Sequence, residues 1–106
     1  QMEQVLINLL KNASEACEES PNPEVVVETT YQEEKYIFQL SVTDNGCGIL
    51  PDVLDRIFIP FFTTKTTGSG IGLSLCKQIV TMHGGSIRVT SEIGKGSCFV
   101  VKMVVK

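Results

Sequence analysis

Tyr36-Ile37-Phe38-Gln39-Leu40-Ser41-Val42-Thr43-Asp44-Asn45-Gly46-Cys47-Gly48 is the stretch on which the reading of the fold depends. Tyr36, Phe38, Leu40 and Val42 share one side of an alternating pattern, as in a strand that buries a single face. This strand, predicted over 35–43, runs straight into Asp44 and two closely spaced glycines. Residues 24–31 alternate in the same way, and Gln32-Glu33-Glu34 joins the two runs, which predicts a hairpin.

Upstream, Met2, Val5, Leu6, Leu9, Leu10, Ala13, Ala16 and Cys17 recur at helical spacing until Glu18-Glu19-Ser20-Pro21 ends the run. Downstream, Asp52 to Phe58 suits one or two helical turns. The Thr-, Gly- and Ser-rich stretch 60–70 predicts a long loop whose start Phe61 and Phe62 anchor. A second long helix follows from about Ile71 to His83, closed by Gly84-Gly85, and strands over 86–92 and 97–105 flank Gly94-Lys95-Gly96. The order is αββ, loop, αββ. Hairpins separated by helices predict an α+β fold: a two-layer α/β sandwich whose mixed, largely antiparallel sheet carries the helices on one face.

The 106 residues suit one small domain, and 42% hydrophobic residues are enough for a packed core. A net charge of -3 with nine Lys and Arg argues against a nucleic-acid footprint. No apolar run reaches the roughly 18 residues a membrane span needs, so we expect no direct membrane contact and a cytoplasmic location, with a parent protein anchored in the inner membrane as one option. Cys17, Cys47, Cys76 and Cys98 form no CxxC pair and there is one histidine, so zinc and haem attachment find no support. Reduced structural thiols are expected, with Cys47 a small filler rather than a redox switch. The chain starts inside a helical pattern without a cap residue, so residues 1–106 are read as a single domain cut from a longer protein and lacking an upstream strand.

Three separated segments carry chemistry. Asn8 and Asn12 are four residues apart and so share a helix face, with Lys11 and Glu15 beside them. Mg²⁺ prefers oxygen ligands, and a carboxamide oxygen at Asn12 with phosphate oxygens and water makes a plausible shell. A carboxylate at Asp44 is acceptor-only, suited to the exocyclic amine of adenine and not to the carbonyl of guanine. Gly46 and Gly48 let a flat ring approach the backbone, and Ile49 adds apolar contact. Gly68-Ser69-Gly70-Ile71-Gly72-Leu73 closes the long loop and opens a helix, so its amides can face phosphates, with Lys65 to assist. It is neither a P-loop nor a dinucleotide fingerprint. Taken singly, each segment also fits a plainer role: solvated helix asparagines, an Asp-Asn-Gly turn, a glycine hinge.

Together these residues resemble the catalytic ATP-binding domain of sensor histidine kinases, within the superfamily of gyrase-type and mismatch-repair ATPases. Asn8-Leu9-Leu10-Lys11-Asn12-Ala13 resembles the family's N box, Asp44-Asn45-Gly46-Cys47-Gly48 its first glycine box, Ile59-Pro60-Phe61-Phe62 its F box and Gly68 to Gly72 its second glycine box. Gly94-Lys95-Gly96-Ser97 is similar to a further glycine turn near adenine. The resemblance implies ATP and Mg²⁺ as cofactors. It assigns Mg²⁺ to Asn12, the phosphates to Asn8, Lys11 and Lys65, and adenine to Asp44, with Ser97 helping through water. Asn8, Asn12 and Lys65 are the implied catalytic residues. Gly46, Gly48 and Ile49 line the base side, and Phe62, Thr67, Gly68, Gly70, Ile71, Gly72 and Leu73 belong to the lid side.

The implied activity is donation of the γ-phosphoryl group to a histidine on a separate dimerisation domain of the same protein, with a response regulator downstream. The phosphoacceptor helices of that domain are absent from this sequence. Hydrolytic members of the superfamily typically carry Glu where this chain has Asn8, and a carboxamide is not a useful base, so slow hydrolysis is expected. An ATP-hydrolysing enzyme or a nucleotide-binding module without turnover are the alternatives. His83, in Met82-His83-Gly84-Gly85, reads as a helix-end residue rather than a phosphoacceptor.

Overall fold

The computed structural model describes residues 2–59 and 72–105. The elements run α1 (Met2–Ala16), β1 (Val25–Gln32), β2 (Ile37–Asp44), α2 (Pro51–Leu54), α3 (Gly72–Met82), β3 (Ser86–Glu92) and β4 (Gly96–Val104). The four strands form one sheet in the order β1-β2-β4-β3, and every described pairing is antiparallel. Helices α1 and α3 pack side by side on one face. This is the α+β two-layer architecture expected.

Strand alternation explains the core. Phe38, Leu40 and Val42 on β2 lie opposite Met103, Val101 and Phe99 on β4, and Val101 and Phe99 in turn lie opposite Ile87 and Val89 on β3. Val5, Leu9 and Ala13 come down on these rows from α1 and Cys76, Ile79 and Val80 from α3, all buried, at spacings that follow the helical period. Phe99, fully enclosed where the layers meet, has the greatest volume to lose, and its truncation to Ala is expected to cost about 3–5 kcal/mol.

The hairpin differs from expectation around its turn: Gln32 belongs to β1, and Lys35 and Tyr36 belong to the turn rather than to β2. Tyr36 does not join the buried row of β2: it occupies the turn with φ 56° and is exposed, while its carbonyl accepts from Val105 N–H at 2.7 Å. The turn takes Glu33 through Tyr36, so β2 begins at Ile37.

Two ends of elements are fixed by glycine. α3 closes with Gly84 at φ 74°, whose N–H reaches Thr81 O at 3.0 Å while Gly85 N–H reaches Val80 O at 2.9 Å. This double bond pattern satisfies the last carbonyls of the helix. His83 adds its ring, Nδ1 donating to Ile79 O at 2.8 Å, which gives it the helix-end role read from sequence.

Candidate functional site

At one end of the sheet the apolar rows give way to a polar one. One step beyond the row Val42, Phe99, Val89, the register sets Asp44 opposite Ser97 and Ser97 opposite Ser91. Asp44 and Ser97 are 4% and 6% exposed, so this row is desolvated, and a polar group there needs partners.

Asp44 is half satisfied. Its Oδ1 accepts from Gly46 N–H at 2.9 Å, an Asx turn that bends the chain off the sheet. Its Oδ2 is buried with no hydrogen-bond partner among the described residues. A buried acceptor left open is costly, about 1–3 kcal/mol, unless a donor arrives from beyond the described residues. The exocyclic amine expected of an adenine is such a donor, so this end of the site fits the base.

The turn after Asp44 is held on both sides. Asn45 accepts from Glu24 N–H at 2.8 Å and donates to Asn22 O at 2.7 Å, tying down the link between α1 and β1. Cys47 N–H donates to Ala16 O at 3.3 Å, and Cys47 O accepts from Gly94 N–H at 3.0 Å. The glycines serve this packing. A Cβ on Gly46 would strike the Ala16 carbonyl, and one on Gly48, at φ 81°, would strike the end of β3 at Glu92 and Ile93. Close backbone approach is thus required at both glycines, and the partner is the protein's own α1 and β3. Cys47 is exposed, which corrects its reading as a filler; Cys17 and Cys76 are the buried thiols.

Ser91 carries no motif in the sequence, yet it ties this end of the site together. Its Oγ accepts from Ile49 N–H at 2.7 Å, donates to Gly96 O at 3.0 Å and lies 2.8 Å from Ser97 Oγ. The signal that could have found it is a polar residue on the buried side of an alternating strand, following Ile87 and Val89.

On α1, Asn8 and Asn12 are half-buried and Lys11 is exposed. Asn8 turns towards α3: its Nδ2 approaches Gly72 O at 3.5 Å, while the Cys76 thiol donates to Val5 O on α1 at 3.8 Å. Burial pushes that thiol up from its ordinary pKa, and the neighbouring Asn8 carboxamide offsets part of the rise. Leu73 packs against the core at the start of α3. Phe62, Lys65, Thr67, Gly68, Gly70 and Ile71 lie outside the described residues, as does most of the F box. Two surface hollows among the described residues lie off the polar row. One of about 370 Å³ lies beside Phe58 and Lys77, and one of about 580 Å³ lies behind the Asn45-Gly46-Cys47 turn. Among the described residues, no group of three or more His, Cys, Asp or Glu gathers to hold a metal, and no helix is long and apolar enough to cross a membrane.

Sensor histidine kinase ZraS of Escherichia coli (strain K12) is 47% identical over 96 residues, which cover 91% of this chain and 20% of ZraS. Sensor protein FixL of Bradyrhizobium diazoefficiens is 41% identical over 99 residues, 93% of this chain and 19% of FixL. The chain therefore spans about a fifth of the length of these relatives. Among solved structures, the catalytic domain of histidine kinase ThkA superposes with a TM-score of 0.82 at 36% identity, covering 97% of this chain and 65% of that one. Full-length ShkA in complex with AMPPNP superposes with a TM-score of 0.81 at 28% identity, covering 96% of this chain and 21% of that one. With the fold, the polar row and a match that extends over residues 1–106, the chain belongs to the histidine kinase-, DNA gyrase B- and HSP90-like ATPase family.

Proposed function

We propose that this domain binds ATP with Mg²⁺ and donates the γ-phosphoryl group to a histidine on a separate dimerisation domain of its parent protein, in two-component signalling with a response regulator downstream. The observation that carries the reading is the open, buried Oδ2 of Asp44 beside the Ser97 and Ser91 hydroxyls. It is an acceptor built into the end of the core and left for a donor that the described residues do not supply. The kinship with ZraS, FixL and the AMPPNP-bound ShkA supports a nucleotide as that partner.

In this reading Asp44 takes the adenine amine, Ile49 flanks the ring, and Asn12 would hold Mg²⁺, with Lys11 near the phosphates. When bound, the metal neutralises phosphate charge. Lys65 and the Gly68 to Gly72 segment complete the phosphate side. Asn8 stands one helical turn before Asn12, where a water-activating carboxylate would favour hydrolysis. Its carboxamide engages α3 instead, so the domain keeps its γ-phosphate for a histidine.

The test has two arms. ATP-Mg²⁺ titration should give saturable binding that Asp44→Asn weakens by about tenfold or more, because the substitution replaces an acceptor by a donor facing a donor. Incubation of the domain with labelled ATP and an added dimerisation domain should label the histidine of the latter, while phosphate release by the domain alone stays slow. Rapid steady-state hydrolysis without transfer would replace the kinase reading by the ATPase one, and binding with neither would leave a nucleotide-binding module.

A further inference from the structure

We infer that Ser91, which touches no substrate in this reading, is a positioning residue for base selection: it fixes the Ser97 hydroxyl as an acceptor beside Asp44. The inference rests on the nucleotide site proposed above and deepens it.

The argument is a count of protons and lone pairs. A serine hydroxyl has one proton to give and two lone pairs to receive. Ser91 Oγ has three partners: Ile49 N–H at 2.7 Å, Gly96 O at 3.0 Å and Ser97 Oγ at 2.8 Å. The amide can only donate and the carbonyl can only accept. All three contacts are satisfied in one arrangement alone, in which Ser91 gives its proton to Gly96 O and takes one from Ile49 and one from Ser97. The Ser97 proton is then committed to Ser91, and Ser97 offers only lone pairs to its other neighbours.

Ser97 stands directly across the ladder from Asp44, on the same buried face, where opposite residues have Cβ atoms about 4.5–5.5 Å apart. Asp44 Oδ2 is the open acceptor there. The end of the sheet thus presents two acceptors side by side, a match for the two N–H bonds of a 6-amino purine and a mismatch for a 6-oxo purine, whose oxygen is itself an acceptor. Asp44 supplies one half of this selection directly. Ser91 supplies the other at one remove, and by holding Ile49 and Gly96 together it also keeps the turn after β2 on the β3–β4 hairpin.

Freed of Ser91, the Ser97 hydroxyl can rotate and donate, which favours a 6-oxo base. Binding of ATP and of ITP with Mg²⁺ should therefore be titrated on the intact domain for the wild type, Ser91→Ala, Ser91→Thr and the double variant Ser91→Ala with Ser97→Ala. The wild type should prefer ATP, and Ser91→Ala should lower the ATP:ITP affinity ratio by about fivefold to tenfold, a value typical of one hydrogen bond reversed. Ser91→Thr, which keeps the hydroxyl, should hold the wild-type ratio. The double variant should recover most of it, because the rotating donor is gone. A purely structural role would lower both affinities together and leave the ratio unchanged, and that result in Ser91→Ala overturns the inference. Should Ser91→Ala fail to fold, Ser91→Cys, with its weak thiol donor, must lower the ratio in the same direction or the inference falls. A wild type that binds neither nucleotide would overturn the site itself, whereas an unchanged ratio with ATP binding intact removes only the role of Ser91.

Discussion

Cys76 shows how much one buried group can report about the contact between α1 and α3. Its side chain is fully enclosed, donates to Val5 O at 3.8 Å and lies beside Asn8, and burial raises its pKa above the ordinary 9.0. Below that value the thiol is neutral both folded and unfolded and contributes no pH dependence. Above it the unfolded chain loses the proton while the folded chain keeps it, so stability falls as pH rises, by at most about 1.4 kcal/mol per pH unit for this one group. Denaturation measured from pH 7.5 to 10.5 should show a steeper decline for the wild type than for Cys76→Ala. The variant should begin about 1 kcal/mol less stable for the lost packing. Equal slopes would mean that the thiol is not shielded as the structure has it. The same residue clarifies Asn8. Its spacing from Asn12 was legible in sequence, but that its carboxamide is engaged by α3 was not, because only the packing of the helices brings Gly72 and Cys76 to it.

The elements themselves were legible nearly to the residue, since alternation and helical periodicity were strong and glycine and proline marked the ends. What failed was the start of β2 at Lys35 and Tyr36, where alternation continued into residues that the turn claims, Tyr36 at φ 56°. Ser91 escaped notice for a related reason: a lone serine in an alternating strand carries no motif, and its importance arises from register with Ser97. At Gly46 and Gly48 the need for close backbone approach was legible, but that α1 and β3 stand against them was not, because only the fold brings Ala16, Glu92 and Ile93 there. The end of α3 allows this kind of reasoning to be checked. Gly84 has open space where an alanine methyl would sit and only its positive φ to resist substitution, so Gly84→Ala should cost about 1–2 kcal/mol. At Gly85 a Cβ would instead meet the Lys102 carbonyl and lie 2.7 Å from Met103 Cγ on β4, where backbone cannot yield, so Gly85→Ala should cost more. Thermal unfolding of the two variants gives the order, and Gly84→Ala being the worse would contradict the packing of α3 on the sheet.

At the scale of the whole molecule, cover is uneven, and the uneven cover bears on how the site works. Helices α1 and α3 shield β2, β4 and β3, whereas every residue of β1 is exposed although β1 pairs with β2 along its full length. Stability should therefore grade across the sheet, with β4 amides exchanging slowest and those of β1 fastest, because opening β1 exposes little apolar area. The polar row sits at one end of this sheet and is assembled from two stretches distant in sequence: the end of β2 with the turn after it, and the β3–β4 hairpin, which supplies the end of β3 and the start of β4. A ligand held there bridges both and stabilises the folded chain by about 2.7 kcal/mol at a concentration of about 100 times its Kd. Hydrogen exchange with and without ATP-Mg²⁺ should thus slow at residues 46–49 and 91–97 and stay unchanged at the far end of β1, Thr29 to Gln32. At the same ATP concentration Asp44→Asn should cut the slowing by about half or more while the gradient across the sheet survives, since the gradient belongs to the layers and the slowing to the open acceptor. Protection spread evenly over β1 as well would mean that the ligand acts on the sheet as a whole and not through the row at its end.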